Sequence, residues 1–407
     1  MKVLALGSSS NLGQVGVRTI LKRREVEQLV VADRDFDKAS NFVKSLQDER
    51  VSACGIDVED INALELLMSK ADIVMNTVGL FYPSVVPKVV NPQFIRIIRT
   101  AIKTGCHHVD INGDPGLAKE VLALDGEARQ AGVTVLFGMG ASPGLTNILA
   151  RHAANQLDEV DYIQTVWGSV GGIRHPRSAL LGEEVTVPFE RITATRVNFL
   201  YHISWEVPVF RDGKFVEVIP LEDGEEVTFP QRKGFFWYCG HGEPVTLPHF
   251  IKGLKGACNL TGQGPEELDV LRELGARVRA EELSPEQAAA MYMPELFRRR
   301  QQRPDEPVDM GPRVGGLYAS ASGKKGGKGV RYGYGFCGWP PGGQAGSTSI
   351  PFALGTEMIM NGEISQRGVL APEACIDPLP FFERYMKYWS NPPESVEQAL
   401  YEVVEEM

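Results

Sequence analysis

The chain has 407 residues, 43% hydrophobic and 23% charged, with a formal net charge of -10. That length suits two or three domains with a large core, and the acidic balance argues against a nucleic-acid binder, whose affinity rests on a basic surface. No apolar run reaches the roughly 20 residues that cross a bilayer, and the six cysteines are scattered without a C-x-x-C pair, which predicts reduced thiols and no metal.

The chain starts directly in a predicted strand, Lys2 to Leu6, with no charged n-region, long apolar core or cleavage site, so the expected location is cytoplasmic. Gly7-Ser-Ser-Ser-Asn-Leu-Gly13 turns into a segment of helical period through Leu21, and Leu29 to Asp33 is a second apolar run. Together they make a β-α-β unit, whose first helical turn presents backbone N–H groups suited to a pyrophosphate. Gly7 permits the tight turn and Gly13 the close packing of helix on sheet. The middle glycine of the dinucleotide fingerprint is replaced by Ser10, whose Cβ holds the backbone back from the phosphates and whose hydroxyl can donate to them. Ser9, Ser10, Asn11, Leu12 and Gly13 are thus the candidate phosphate-side residues. Asp33 follows about 20 residues after Gly13, where an acid accepts hydrogen bonds from an adenosine ribose. Arg34 suits a 2′-phosphate that Asp33 would repel, so NAD and NADP both stay open, with NAD preferred.

A helix near Phe36 to Asp48, a strand near Val51 to Ile56 and a helix from Asn62 to Lys70 follow. Asp57 is either a helix N-cap or, with Val58, part of the adenine contact. Asp72 to Val78 reads as a buried strand, and in an open parallel sheet the loop after it lines the ligand crevice. Thr77, Val78 and Gly79 are therefore placed on the nicotinamide side, with Phe81 and Tyr82 as candidate substrate contacts. After a helix from Phe94 to Thr104, His107 to Ile111 is a strand. His107 and His108 face opposite sides of it, so shared metal ligation is not expected. Asp110, at its carboxyl end, is the first candidate proton carrier. A helix from Leu117 to Ala131 and a strand from Val133 to Phe137 lead to Ser142, Pro143 and Gly144. Ser142 reads as the N-cap and Pro143 as the first residue of a helix through His152. That helix start either offers donors to a substrate carboxylate or simply carries the chain between domains.

From about Asp161 the pattern changes to strands without intervening helices: Tyr162 to Gly168, Thr193 to His202 and Lys214 to Pro220. Hairpin turns at Arg211–Lys214 and Gly323–Gly329 predict an α+β domain with a largely antiparallel sheet. Helices are predicted from Glu266 to Ala276, Glu286 to Gln302, Ser349 to Asn361 and Leu379 to Trp389, with another near Glu394. The expected divisions are 1–147, 148–345 and 346–407. In Cys239-Gly-His-Gly-Glu243, the glycines leave His241 accessible as the second candidate proton carrier. Glu243 either binds a substrate amine or caps a strand.

Three stretches together resemble the saccharopine dehydrogenase-like oxidoreductases: Asp72-Ile-Val-Met-Asn-Thr-Val-Gly-Leu-Phe-Tyr-Pro83, His108-Val-Asp-Ile111 and Gly138-Met-Gly-Ala-Ser-Pro-Gly-Leu-Thr-Asn-Ile-Leu-Ala150. Gly362-Glu-Ile-Ser-Gln-Arg-Gly-Val-Leu-Ala-Pro-Glu373 with Phe381 and Phe382 is similar to the family's closing segment. The resemblance implies a Rossmann doubly wound parallel sheet that binds NAD(P), an inserted α+β domain for substrate and dimer contacts, and C-terminal helices returning to the Rossmann domain. It also implies a homodimer and a small-molecule substrate. No position matches the family's substrate-recognising arginine, and between Gly168 and Pro230 the sequence goes its own way.

The reaction implied is hydride transfer at a carbon bearing nitrogen in an amino acid or polyamine. Two rivals remain: a same-fold oxidoreductase acting on a carbonyl or alkene of a hydrophobic metabolite, suited by Phe235-Phe-Trp-Tyr238, and a non-catalytic NAD(P)-binding protein.

Overall fold

A computed structural model describes residues 1–78, 92–174, 194–303 and 307–407. The first part alternates strand and helix: β1 (Lys2–Leu6), α1 (Asn11–Ile20), β2 (Gln28–Asp33), α2 (Phe36–Leu46), β3 (Val51–Gly55) and α3 (Ile61–Met68). It continues with β4 (Ile73–Asn76), α4 (Pro92–Thr104), β5 (His107–Asp110), α5 (Pro115–Leu122), α6 (Asp125–Ala131), β6 (Thr134–Leu136) and α7 (Leu145–Ala154). A late strand, Gly368–Leu370, joins the edge beside β6, giving a sheet of seven strands among the described residues. Every pairing in it is parallel. The central strands β1 and β4 are almost wholly buried apolar residues, as a parallel sheet covered on both faces requires.

Two glycines set the geometry of the first turn. Gly7 sits at φ +73°, and a Cβ there would come 2.6 Å from Val78 Cγ2. A Cβ on Gly13 would come 2.3 Å from the Ser8 Cα, so α1 lies on the turn at a distance that only glycine allows.

Among the described residues the second sheet has ten strands and is built mainly around β7 (Glu159–Val170). Strand Gly256–Gly262 runs parallel to β7, and strand Tyr318–Lys325 runs antiparallel on its other side. The predicted hairpins are present: Lys214 pairs with Arg211, and Lys325 pairs with Lys328 across the Gly326-Gly327 turn. Helix α7 leaves the parallel sheet after β6 and packs on the second sheet through Leu145, Ile148, Leu149 and Ala153, all fully buried. The helix Gln344–Met360 returns to pack on α1, and Phe352 lies against Gly16.

Four expectations are corrected. The predicted strand Thr193 to His202 is a helix, Ala194–Ser204. Its Val197, Phe199, Leu200 and Ile203 read as a β-rich run, yet they pack at helical spacing on Leu268, Leu271 and Leu274. The predicted helix Leu117 to Ala131 is broken into α5 and α6. Ser142 and Pro143 do not begin α7: the N-cap is Gly144, at φ +125°, whose N–H donates to Asn147 Oδ1 at 2.8 Å. Ser142 is thereby freed for a different role. Near Glu394 there is only a one-turn helix, Val396–Ala399; the chain then forms strand Leu400–Glu406, paired with Lys328–Phe336. This strand adds a tie between the chain's end and the second sheet beside the helices that return to the parallel sheet.

Gly13→Ala is expected to cost about 1–3 kcal/mol, because the new methyl meets backbone that cannot swing away. Equilibrium denaturant unfolding checks this, and a midpoint equal to that of the parent chain would contradict it.

Candidate active site

A cleft of about 610 Å³ opens at the carboxyl edge of the parallel sheet, against the second sheet. Its first wall comes from Leu12 in α1, from Ile111 to Gly113 after β5, and from Gly140 to Ser142 after β6. Its second wall includes Trp167 of β7, Phe199 and His202 of the 194–204 helix, and His241. Carboxyl-edge loops at the meeting of two layers are where open α/β sheets bind ligands.

The turn entering α1 has features that fit a dinucleotide. Ser10 caps the helix, its Oγ accepting from Gly13 N–H at 3.2 Å, and so it accepts within the turn. Ser8 Oγ is buried with no hydrogen-bond partner among the described residues. Ser9 Oγ donates to Asp33 Oδ2 at 2.6 Å, and Asp35 N–H donates to Asp33 Oδ1 at 3.2 Å. Asp33 is therefore fixed over the end of β2 as a paired carboxylate, while Arg34 is exposed. Asp57 accepts from Glu59 N–H at 3.0 Å, and the N-cap of α3 is Asp60. Val58 is buried. Thr77 Oγ1 donates to the Leu6 carbonyl, and Val78 N–H donates to Asn76 Oδ1. Gly79, Phe81 and Tyr82 lie outside the described residues.

The chemistry-bearing group is a part-buried hydrogen-bond chain that crosses from one layer to the other. His241 Nδ1 lies 3.0 Å from Ser142 Oγ, and Ser142 Oγ donates to Glu243 Oε1 at 2.6 Å. Glu243 is fully buried, and Oε1 also accepts from Thr146 Oγ1 at 2.8 Å and Asn259 Nδ2 at 3.0 Å. Its Oε2 has no hydrogen-bond partner among the described residues and sits 3.8 Å from His241 Nδ1. The His241 ring lies nearly parallel to the Trp167 ring, with centroids 5.3 Å apart, and edge-on to His202. Burial pushes His241 and His202 each down to about 3, and it raises Glu243 above the usual carboxylate range. Pro143 packs against Gly113 and Gly138, joining the two loops of the first wall.

Asp110 closes β5, at the carboxyl end where it was expected. It is fully buried one residue before the cleft wall begins. Its Oδ1 accepts from Asn112 N–H at 2.9 Å and Gly138 N–H at 3.0 Å, so it ties together the loops after β5 and β6. Burial raises it to about 7. Sequence reasoning passed over Trp167, Thr146 and Asn259. Asn259 carried a signal, since it is a polar residue in the otherwise small or apolar run Gly256–Gly262.

Because His202 is buried and the His241 side chain is only 13% exposed, the ring signals of both are expected to stay flat between about pH 8 and 5, where an exposed histidine titrates. A proton NMR titration checks this; a midpoint near the ordinary value for His241 would contradict it.

A family model described as the saccharopine dehydrogenase NADP binding domain matches residues 3–136, and one for the saccharopine dehydrogenase C-terminal domain matches residues 140–390. Among solved structures, an apo saccharopine dehydrogenase (L-Glu forming) from Saccharomyces cerevisiae superposes with a TM-score of 0.62 at 15% identity, covering 99% of both chains. A homospermidine synthase from Legionella pneumophila, in complex with NAD, gives 0.57 at 12% identity, covering 99% of this chain and 91% of its own. At such identities these likenesses speak for the fold; the two matched domain models speak for kinship. With its parallel NAD(P)-binding sheet followed by the matched C-terminal domain, the chain belongs to the saccharopine dehydrogenase family of oxidoreductases.

Proposed function

We propose that this protein moves a hydride between a nicotinamide dinucleotide and a carbon bearing nitrogen in an amino acid or related metabolite, with His241 carrying the proton. The observation behind this reading is the chain His241–Ser142–Glu243 bordering the cleft, with links of 3.0 and 2.6 Å. Gly7, the Ser9–Gly13 turn and Asp33 would hold the dinucleotide, with Thr77 and Val78 on its nicotinamide side. When bound, it supplies or accepts the hydride.

The chain's own residues manage the proton. A substrate ammonium must lose a proton before its C–H can leave as hydride, because the nitrogen lone pair becomes the second bond of C=N. His241 Nε2, the ring nitrogen away from Ser142, takes that proton. The Nδ1 proton then passes to Ser142 Oγ, and the Ser142 proton to Glu243 Oε1. Burial disfavours a charged imidazole and raises Glu243, so the proton comes to rest on the carboxylate. The reverse sequence returns it when an iminium is reduced. Trp167 and Phe199 on the second wall exclude water from this chain. The loop tie made by Asp110 holds Asn112 and Gly138 in place around it.

Asp33 supports NAD over NADP, since a 2′-phosphate would lie against its carboxylate. Titration with NADH and NADPH by fluorescence checks this: NADH is expected to bind more tightly, and Asp33→Ser to narrow the gap. Tighter NADPH binding in the parent chain would remove the preference.

One observation favours a second reading. Trp167, Phe199 and Trp339 make part of the cleft aromatic, which suits a carbonyl or alkene of an apolar metabolite. A panel of amino acids, imino acids, polyamines, aldehydes and enones, followed by nicotinamide absorbance, separates the two readings. On the amine substrate that reacts, His241→Gln and Glu243→Gln are each expected to lower turnover about 10²–10⁴-fold with dinucleotide affinity unchanged. Parent-level turnover in His241→Gln would overturn the mechanism, and activity confined to aldehydes or enones would favour the second reading.

A further inference from the structure

We infer that Asn259, with its amide turned by the Trp167 indole N–H, is a positioning residue that fixes His241 as the Nδ1–H tautomer and leaves Nε2 as the proton acceptor. This deepens the proposed function and rests on it for its catalytic meaning, but the hydrogen-bond logic stands by itself.

The logic begins at a group whose role cannot reverse. An indole nitrogen only donates. Trp167 Nε1 lies 3.0 Å from the Asn259 amide, so the amide atom facing it must be the carbonyl oxygen. The Asn259 NH₂ therefore points the other way, toward Thr165 Oγ1 at 3.0 Å, Glu243 Oε1 at 3.0 Å and Ser142 Oγ at 3.3 Å. Thr165 spends its own proton on the Cys258 carbonyl at 3.1 Å, so toward Asn259 it can only accept. Glu243 Oε1 receives an amide N–H from Asn259 and the Thr146 hydroxyl at 2.8 Å, so in the resting chain it acts as an acceptor.

Ser142 then has one arrangement left. Its hydroxyl proton goes to Glu243 Oε1, at 2.6 Å. Its oxygen can only accept from the ring nitrogen 3.0 Å away, so His241 Nδ1 carries the ring proton. A neutral imidazole has a single N–H, and Nε2 is left as a lone pair. The stack on Trp167 holds the ring plane while the same indole orients the amide, so one side chain sets both the angle and the proton of His241. The resting enzyme is thus poised to take a proton from an ammonium substrate, with its outlet through Ser142 already pointing at Glu243.

Long-range ¹H–¹⁵N spectra of the histidine rings test this on the full-length ¹⁵N-labelled protein at neutral pH, with His241 assigned against His241→Gln. The expected result is a protonated-type shift for Nδ1 and an unprotonated-type shift for Nε2. Trp167→Phe keeps the stacked ring and removes the donor, and Asn259→Leu removes the amide; in both, the two His241 shifts are expected to move toward averaged values. Observation of the Nε2–H tautomer in the parent chain overturns the inference, whether or not either variant folds. Unchanged His241 shifts in both variants would also overturn it. The measurement needs no substrate. If the tautomer is as stated and Trp167→Phe leaves turnover intact, the positioning stands and the catalytic role of His241 is what fails.

Discussion

Glu243 places a carboxylate at the seam between two sheets, and three donor side chains organise around it. Ser142 and Thr146 reach it from the loop and helix that follow β6, while Asn259 reaches it from the second sheet. A carboxylate removed from water costs several kcal/mol unless donors surround it. Three donors converge on Oε1, and among the described residues none reaches Oε2. The group is thus half compensated: held firmly enough to join the layers, yet still basic enough to receive a proton. Separating the two walls of the cleft would strand this carboxylate, so the seam and the site depend on the same interaction.

The rest of the architecture delivers those side chains to one place. Parallel pairing puts the ends of β1, β5 and β6 on a single edge, where Leu12, Asn112 and Ser142 emerge together. Asp110 bridges the loops after β5 and β6, and α7 carries the chain across to the second sheet with its apolar face buried between layers. Asn147 of α7 donates to the buried Glu373, so the late segment is also fastened to this helix. The loops after β5 and β6 are thus each tied to a buried carboxylate, Asp110 or Glu243.

The β-α-β opening, the central strands and both hairpins were legible because each has a local cause: glycine at a turn, unbroken apolar runs, two-residue loops. The helix 194–204 was not legible. Its aromatic and β-branched residues favour strand locally, and only packing on the 265–279 helix reverses that preference. Ser142 was singled out for the wrong local reason, as a cap, because its true partners lie about a hundred positions away. His241 and Glu243 could be noticed from their glycine-flanked segment. Their link to Asn259 and Trp167 could not, since it arises from sheet pairing that no short window of sequence contains.

The central claim is that the nicotinamide ring and His241 meet in the cleft between the sheets. A crystal structure of the protein with NAD⁺ bound tests it most directly. The pyrophosphate should rest on the first turn of α1, and the nicotinamide should enter between the 111–113 loop and Trp167, with its C4 on the side of His241. A dinucleotide bound elsewhere, or a nicotinamide turned so that the Ser142–Glu243 chain faces only its ribose, would contradict the account.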